Sequence, residues 1–299
     1  MRKILLATDD SPHANEATWF LAHLPHEDKV EITVLSVLYV PTAGSMTLLG
    51  DWVQIILERE RERAVATFAK VESRFDGANV TLKHIIKEGH VAETIVDVAN
   101  RERVDFVVLG ARGHSLVERI VLGSTSDYVA THATCSVLVV RPTEIREANH
   151  PIRIAIAYED SEAAEAALQE IAEVGWGAEP DLRVVTVLFS GGFEESARRN
   201  LAESTALKAA EWLRKTASHV HVESIVHSHI GEGLVSYLEE NRCDIVVVGE
   251  TPRTRLGRVL MGSTSRFVLR HAPCSVWITR NRIMQGKPSG KTHPETASL

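Results

Sequence analysis

The chain contains one long segment twice, and this repeat limits the possible folds more than any other feature. Gly123–Ser126 is followed by an aromatic-Val pair, a His-Ala pair and a Cys-Ser-Val run. The same order follows Gly262–Ser265, with every matched position 139 residues later. An internal repeat of domain length predicts two copies of one fold.

The repeat also places the domain boundary. At the start of the copies the spacing is larger, because Asp10-Ser11 matches Asp160-Ser161, 150 residues on. Within 299 residues this predicts two domains, at residues 1–142 and 150–280. A polar segment without periodicity follows at residues 281–299, and we expect it to be disordered.

Short, continuous apolar runs alternate with helical patterns in both copies, which is typical of strands buried on both faces. Strands are predicted at residues 4–6, 32–38, 80–86, 106–109 and 137–140, and again at 152–158, 182–189, 220–226, 245–248 and 276–279. Helices are predicted between them, the first opened by Ser11 as N-cap and Pro12. Each copy is therefore predicted to be an α/β domain, with a doubly wound, five-stranded parallel sheet and helices on both faces.

Composition excludes several classes of function. The net charge of −7 gives no electrostatic reason to expect nucleic acid or an anionic membrane as a partner, and no apolar run is long enough to cross a bilayer. The three cysteines, Cys135, Cys243 and Cys274, adjoin apolar runs and are predicted to be buried, reduced thiols of a cytoplasmic protein. Cys135 and Cys274 precede the last strand of each copy, which is predicted to lie at a sheet edge.

Two loops of the first copy are predicted to form a ligand site. In doubly wound sheets, ligands bind beyond the carboxyl ends of the strands, where the strand order reverses. Thr8–Ser11 and the segment from Gly110 to Ser124 would meet there. Glycines at 110 and 113 permit close backbone approach, and Arg112 and His114 would add positive charge.

A helix that begins at Gly123–Ser126 would offer N–H groups to a phosphate. The chain has no Gly-Lys-Ser/Thr, which excludes a phosphate-loop NTPase. From spacing alone, one alternative stays open, in which these glycine and hydroxyl residues are ordinary loop and capping residues.

These motifs resemble those of the ATP-binding universal stress proteins. Gly110-x2-Gly113-x9-Gly123-Ser124 is similar to the family's glycine signature, Thr8-Asp9-Asp10-Ser11 to its first-strand Val-Asp-Gly-Ser, and Ala133–Val140 to its closing Ala-Pro-Cys-Pro-Val-Leu-Val-Val. The resemblance extends over both copies and implies a tandem protein of the adenine nucleotide alpha-hydrolase-like fold. It also implies ATP as ligand, with Mg²⁺ held mainly by the phosphates, and pairing of the two halves through their last strands.

The resemblance assigns roles to individual residues. Asp9 would hold the ribose or the adenine edge, Val37 would contact adenine through its backbone, and Gly113 with Gly123–Ser126 would hold the phosphates. Asp10, where the family commonly has glycine, would add negative charge near the site. With Arg112 and His114 included, the candidate nucleotide-binding residues are Ala7, Thr8, Asp9, Val37, Leu109, Gly110, Arg112, Gly113, His114, Gly123, Ser124, Thr125 and Ser126.

The second copy departs from this pattern. Glu159 replaces Asp9, Pro252 replaces Gly113, and Glu250 brings a negative charge to the loop, whereas Gly262–Ser265 is intact. Proline lacks an N–H and glycine's backbone freedom. We expect the second copy to bind ATP weakly or not at all.

Three functions are compatible with these observations. The first is a non-enzymatic, ATP-binding regulator of the stress response, with an intrachain pseudo-dimer, possible association of two chains, and a protein partner that the sequence does not identify. The second is a slow ATPase or nucleotidyl-transfer enzyme that uses His114 or Asp10. The third is an interaction module without nucleotide. The chain has no Ser-His-Asp order, His-Glu-x-x-His motif or Cys-x-x-Cys pair, so no catalytic residue and no protein-bound metal is predicted.

Overall fold

The computed structural model describes residues 2–24, 26, 28–39, 50–113, 122–142, 150–174, 180–190, 195–250 and 261–280. The predicted tail at 281–299 lies outside these ranges, as do His114 and Pro252. Within them, strands and helices alternate in the predicted order in both domains.

The elements of domain 1 are β1 (Arg2–Ala7), α1 (Pro12–His23), β2 (Val30–Leu38), α2 (Gly50–Arg74), β3 (Val80–Glu88), α3 (Val91–Glu102), β4 (Phe106–Gly110), α4 (Ser124–His132) and β5 (Ser136–Val140). Those of domain 2 are β6 (Arg153–Ala157), α5 (Glu162–Ala172), β7 (Asp181–Phe189), α6 (Glu195–Leu213), β8 (His219–His227), α7 (Ile230–Glu240), β9 (Ile245–Glu250), α8 (Ser263–His271) and β10 (Ser275–Arg280).

Local sequence accounts for how the first helix of each domain begins. The hydroxyl oxygen of Ser11 accepts the N–H of Ala14 at 3.2 Å, and Pro12 occupies the first helical position. In domain 2 the hydroxyl oxygen of Ser161 accepts the N–H of Ala164 at 3.3 Å. The first contact confirms the predicted N-cap at Ser11, and Ser161 caps the matched helix in the same way.

All ten strands form one sheet, in the order β3-β2-β1-β4-β5-β10-β9-β6-β7-β8. Neighbours within a domain are parallel, and the order reverses between β1 and β4 in domain 1 and between β6 and β9 in domain 2. β5 and β10 pair antiparallel, with Val139 opposite Val276 and Val137 opposite Ile278. We call this pairing the seam. The doubly wound α/β fold and the pairing through the last strands are confirmed.

The seam changes the position of the last strands. β5 and β10 end their own five-stranded halves, but each covers the other, so the expectation that they lie at a sheet edge is wrong for the whole molecule. Every residue of both strands is buried. All three cysteines are buried, as predicted.

Two apolar cores cover the two faces of the sheet, and each continues across the seam. One face packs against α1, α2, α5 and α6, and the other against α3, α4, α7 and α8. Because both cores contain residues of both domains, the two repeats are packed as one body.

Candidate functional site

The carboxyl ends of β1 and β4, where the strand order reverses, adjoin a cavity of about 330 Å³. This volume is in the usual range for a small-molecule site. Twelve of the thirteen candidate residues line the cavity, and the thirteenth, His114, lies outside the described residues. The two predicted loops therefore meet as expected.

The β1 loop orients the carboxylate of Asp9. Its Oδ1 accepts the N–H of Ser11 at 3.1 Å, so the side chain is held by the start of α1. Its Oδ2 faces Gly113, where a β-carbon would lie only 2.8 Å from that oxygen. Gly113 thus lets the β4 loop approach the carboxylate closely, and any larger residue would displace one or the other.

Gly110 makes a second close approach. A β-carbon at this position would lie 2.6 Å from the main-chain carbonyl oxygen of His13, in the first turn of α1. The main chain of α1 cannot easily move away, because the hydroxyl oxygen of Ser11 caps that turn by accepting the N–H of Ala14. Glycine at the end of β4 therefore sets the spacing between the two loops.

The start of α4 is tied to the end of β4. Ala111 donates its N–H to the carbonyl of Val140 at 2.8 Å and accepts the N–H of Gly123 at 2.9 Å. The hydroxyl of Ser126 lies 2.8 Å from the carbonyl oxygen of Gly110 and 3.1 Å from that of Ala111. The first N–H groups of α4 consequently face the cavity from a fixed position.

Four residues that sequence reasoning missed also line the cavity, and all are aliphatic: Ala14, Leu35, Val91 and Ile95. Leu35 precedes Val37 on the same face of β2, while Val91 and Ile95 occupy the first turns of α3. The sequence does carry a signal for Val91 and Ile95, because α3 begins shortly after β3 ends and its apolar residues lie on one face of the helix. One end of the cavity is therefore apolar, and the other carries helix N–H groups and Arg112.

The side chain of Asp10 is directed away from the cavity. Its backbone is left-handed, with φ of 61°, which explains why glycine suits this position in similar sequences. Its carboxylate pairs with Lys70 of α2 at 2.6 Å and accepts the side-chain amide of Asn15 at 3.2 Å. The expected negative charge near the site is thus neutralised by α2.

His13 lies close to the site without lining it. Burial, reinforced by Arg112 and Arg141, lowers the pKa of His13, and Asp9 opposes this effect. The ring is therefore neutral near pH 7.

The corresponding loops of domain 2 differ in two described contacts. Ser161 donates its N–H to the main-chain carbonyl of Glu159 at 2.8 Å, whereas in domain 1 the acceptor is a side chain. Glu250 is 3% exposed, and its Oε2 lies 2.9 Å from Nη2 of Arg280, an ion pair whose angles fall short of an aligned hydrogen bond. Burial raises the pKa of Glu250, while Arg280, Arg266 and the backbone N–H of Gly262 oppose this rise. The carboxylate therefore lies near the start of α8, with Arg280 as its counter-ion.

A second cavity, of about 200 Å³, lies at the amino ends of β1 and β2 and is lined in part by Arg2, His26 and Glu173. It is at the opposite end of these strands from the converging loops, which are where the fold positions ligands. Within the described ranges, no group of three or more His, Cys, Asp or Glu side chains could hold a metal ion. Nor is any helix in those ranges long and apolar enough to span a bilayer.

Comparison with known proteins gives consistent matches over both repeats. The model of the universal stress protein family matches residues 1–141 and 152–280. A universal stress protein of Mycolicibacterium smegmatis is 26% identical over 298 residues, covering 93% of this chain and 97% of its own. Universal stress protein MJ0531 of Methanocaldococcus jannaschii is 30% identical over 140 residues, covering 47% of this chain and 82% of its own.

Among solved structures, a universal stress protein from Archaeoglobus fulgidus superposes with a TM-score of 0.68. It is 22% identical and covers 93% of this chain and 98% of its own. At this identity the likeness supports the fold of the whole tandem arrangement.

Proposed function

The chain belongs to the universal stress protein family, as two domains in tandem, and from that membership we propose that it is an ATP-binding regulatory protein with its nucleotide in domain 1. The observation that carries the proposal is the cavity at the β1–β4 reversal, apolar at one end and lined by helix N–H groups at the other. A purine base suits the first end and phosphates suit the second.

The apolar end would hold adenine. Leu35, Val91 and Ile95 surround it with aliphatic side chains, and Val37 offers its main chain near the end of β2. Asp9, held by the N–H of Ser11, is placed to accept a ribose hydroxyl or an adenine amine.

The polar end would hold the phosphates. Gly123 is the N-cap of α4 and has no side chain to occupy the N–H groups of Thr125 and Ser126. Those donors, the positive end of the helix dipole and the guanidinium of Arg112 favour an anion. We propose that Mg²⁺ arrives with the triphosphate and is held mainly by its oxygens.

A regulatory role, without rapid turnover, suits this arrangement. The nucleotide would touch the β1 loop, the β4 loop and the start of α4 at once, so binding would bias their relative positions. Asp10, one of the candidate catalytic groups, is paired with Lys70 and directed elsewhere, which argues against its use as a base. Three buried thiols suit a cytoplasmic protein.

The experiment that tests the proposal is a count of bound nucleotide. Purified protein is denatured, the released nucleotide is identified, and Mg-ATP is titrated calorimetrically into the wild type and into Gly113→Pro, which copies domain 2. We expect one ATP per chain and loss of binding in Gly113→Pro, because the β-carbon of the proline ring would lie 2.8 Å from Oδ2 of Asp9.

Gly262→Ala is the matched control. Among the described residues, a β-carbon there meets the hydroxyl oxygen of Ser265 alone, at 3.9 Å, so binding should be unchanged. Two ATP molecules per chain would contradict the assignment to domain 1 alone. No bound nucleotide and no heat of titration would contradict ATP binding and favour an interaction module.

A further inference from the structure

Two arginines in matched positions cross the seam in opposite directions. Arg280 ends β10 of domain 2, and its guanidinium donates to the carbonyl of Cys135, at 2.9 Å, and to the carbonyl of Ala130 in domain 1. Ala130 belongs to the last turn of α4. A cation from domain 2 thus caps the carboxyl end of a helix in domain 1.

Arg141 makes the mirror-image contacts. It follows β5 and donates to the carbonyl of Leu269 in α8, at 2.7 Å, and to that of Cys274, at 3.4 Å. These acceptors are the equivalents of Ala130 and Cys135, so the exchange has the pseudo-twofold symmetry of the repeat.

The symmetry is broken by the counter-ion. The side chain of Arg280 is fully buried and pairs with Glu250 at 2.9 Å. The equivalent of Glu250 in domain 1 is Ala111, whose methyl group cannot pair with Arg141. A buried guanidinium needs such compensation, because removal from water is costly for an isolated charge. Glu250 therefore holds Arg280 in place over α4.

The helix that Arg280 caps is also the helix that borders the nucleotide cavity. α4 has nine residues and is about 13 Å long at 1.5 Å per residue. Its first turn is fixed by the hydroxyl of Ser126 at the end of β4, and its last turn by Arg280. Because α4 is short and is held at both ends, these contacts fix its position. Loss of the contact at its carboxyl end would therefore shift the N–H groups at its start.

We infer that Arg280 of domain 2, held by Glu250, is a positioning residue for the nucleotide site of domain 1. This inference rests on the proposed function. It also gives a role to one departure of domain 2 from the glycine-loop pattern. Glu250, where domain 1 has Ala111, is the counter-ion that holds Arg280 against α4 of domain 1.

The test separates affinity from stability in the full chain. Arg280→Met should weaken Mg-ATP binding about tenfold, because the carboxyl end of α4 loses its charged hydrogen bonds and the N–H groups at its start shift. Arg280→Lys should recover part of the affinity. Trp277→Leu, on the same strand but in the opposite core, is the control: it should lower the unfolding midpoint and leave the ATP dissociation constant unchanged.

Arg280→Met leaves Glu250 buried without its cation and can fail to fold. The double variant Glu250→Ala/Arg280→Met removes both charges, which commonly restores stability. It should still bind ATP about tenfold more weakly, because the cap on α4 is gone. A double variant that folds and binds like the wild type would overturn the inference.

Amide hydrogen exchange distinguishes this inference from the proposed function. Without any nucleotide, residues of α4 should exchange faster in the double variant than in the wild type or in Trp277→Leu. If the wild type binds no ATP but α4 loses protection, the proposed function fails and the positioning contact stands. If α4 keeps its protection, the contact does not position the helix, whatever the nucleotide result.

Discussion

At the scale of single residues, Gly123 and Gly262 show how matched positions have come to differ. A β-carbon at 123 would lie 3.2 Å from the carbonyl oxygen of Ala111 and 3.4 Å from Cα of Arg112. One at 262 would meet, in the part of the chain that the structure describes, only the hydroxyl oxygen of Ser265 at 3.9 Å. Both are N-caps, so substitution by alanine has the same capping effect at each. The difference between the two variants therefore isolates crowding at the site.

We predict that Gly123→Ala lowers the free energy of unfolding by about 1 kcal/mol more than Gly262→Ala does, because the main chain must yield. Only Gly123→Ala should weaken ATP binding. Urea unfolding and calorimetry measure the two effects, and equal losses in both variants would contradict the crowding at 123.

Asp10 gives a second prediction. Asp10→Ala keeps the strain of the left-handed backbone and loses the ion pair with Lys70, so it should destabilise the fold by about 1–2 kcal/mol. Asp10→Gly relieves the strain and should stay within about 1 kcal/mol of wild type. Lys70→Met is the control for loss of the ion pair alone. ATP affinity should be unchanged in all three, and loss of ATP turnover in Asp10→Ala with binding kept would instead favour the slow enzyme.

The partly buried ring of His84 leads us to predict that the stability of the fold depends on pH. Its Nε2 lies 3.1 Å from the hydroxyl oxygen of Ser36 and its ring stacks on Phe68, with centroids 4.5 Å apart. Burial lowers the pKa of His84, against an opposing effect of Glu72. The unfolded chain therefore takes up this proton first as pH falls, and stability is lost from about pH 6.5 down to the lowered pKa.

His84→Gln removes this titration. The stability difference between wild type and His84→Gln should be largest above about pH 7 and should shrink by about pH 5.5. Urea unfolding at both values measures it, and a difference that grew on acidification would show that the folded state prefers the charged ring.

At the scale of secondary structure elements, the attachment of α4 to β4 depends on one hydroxyl. Ser126 is 2% exposed and lies within hydrogen-bond distance of two carbonyls at the end of β4. Ser126→Ala should cost about 1–2 kcal/mol of stability and weaken ATP binding, since the helix start loses its fixed distance from the glycine loop. Ser265→Ala in domain 2 is the matched control. A similar loss of ATP affinity in that variant would contradict nucleotide binding in domain 1 alone.

The elements themselves could be predicted from the sequence, because the inner strands are largely apolar runs and each copy predicts the other. The outermost strands β3 and β8 alternate polar and apolar residues and are only partly buried, so the expectation of burial on both faces is wrong for these two. Side-chain directions could not be predicted, since they depend on distant partners. Asp10 turns toward Lys70, sixty residues later, and Glu250 toward Arg280, on the next strand but beyond a helix. The lining residues Val91 and Ile95 could not be found from the glycine loops, because they lie on α3, which only the folded chain brings against those loops.

At the scale of the whole molecule, the seam joins two halves that have become chemically unlike. The indole N–H of Trp277 donates to Glu170 at 3.0 Å, and the hydroxyl of Ser136 donates to the same carboxylate at 2.7 Å. The domain 1 equivalents of Trp277 and Glu170 are Leu138 and Phe20. In the described seam this polar cluster thus occurs once, with Glu170 and Trp277 from domain 2 and Ser136 from domain 1.

Trp277→Leu should destabilise the chain by about 2–4 kcal/mol, through lost volume in a core where Trp277 is 2% exposed and through a weakened partner for Glu170. Adding Glu170→Phe, which copies domain 1, should recover at least about 1 kcal/mol. Thermal and urea unfolding of the two variants measure this coupling. Strictly additive losses would show that the two side chains do not depend on each other.

The antiparallel seam also decides which way the molecule faces its surroundings. Because β5 and β10 run in opposite directions, the strands of the two half-sheets have their carboxyl ends on opposite sides of the molecule along the strand direction. The loops of the two domains therefore open away from each other, and no single small partner can cover both. A molecule that docks over the carboxyl ends of one half-sheet therefore leaves those of the other half-sheet accessible.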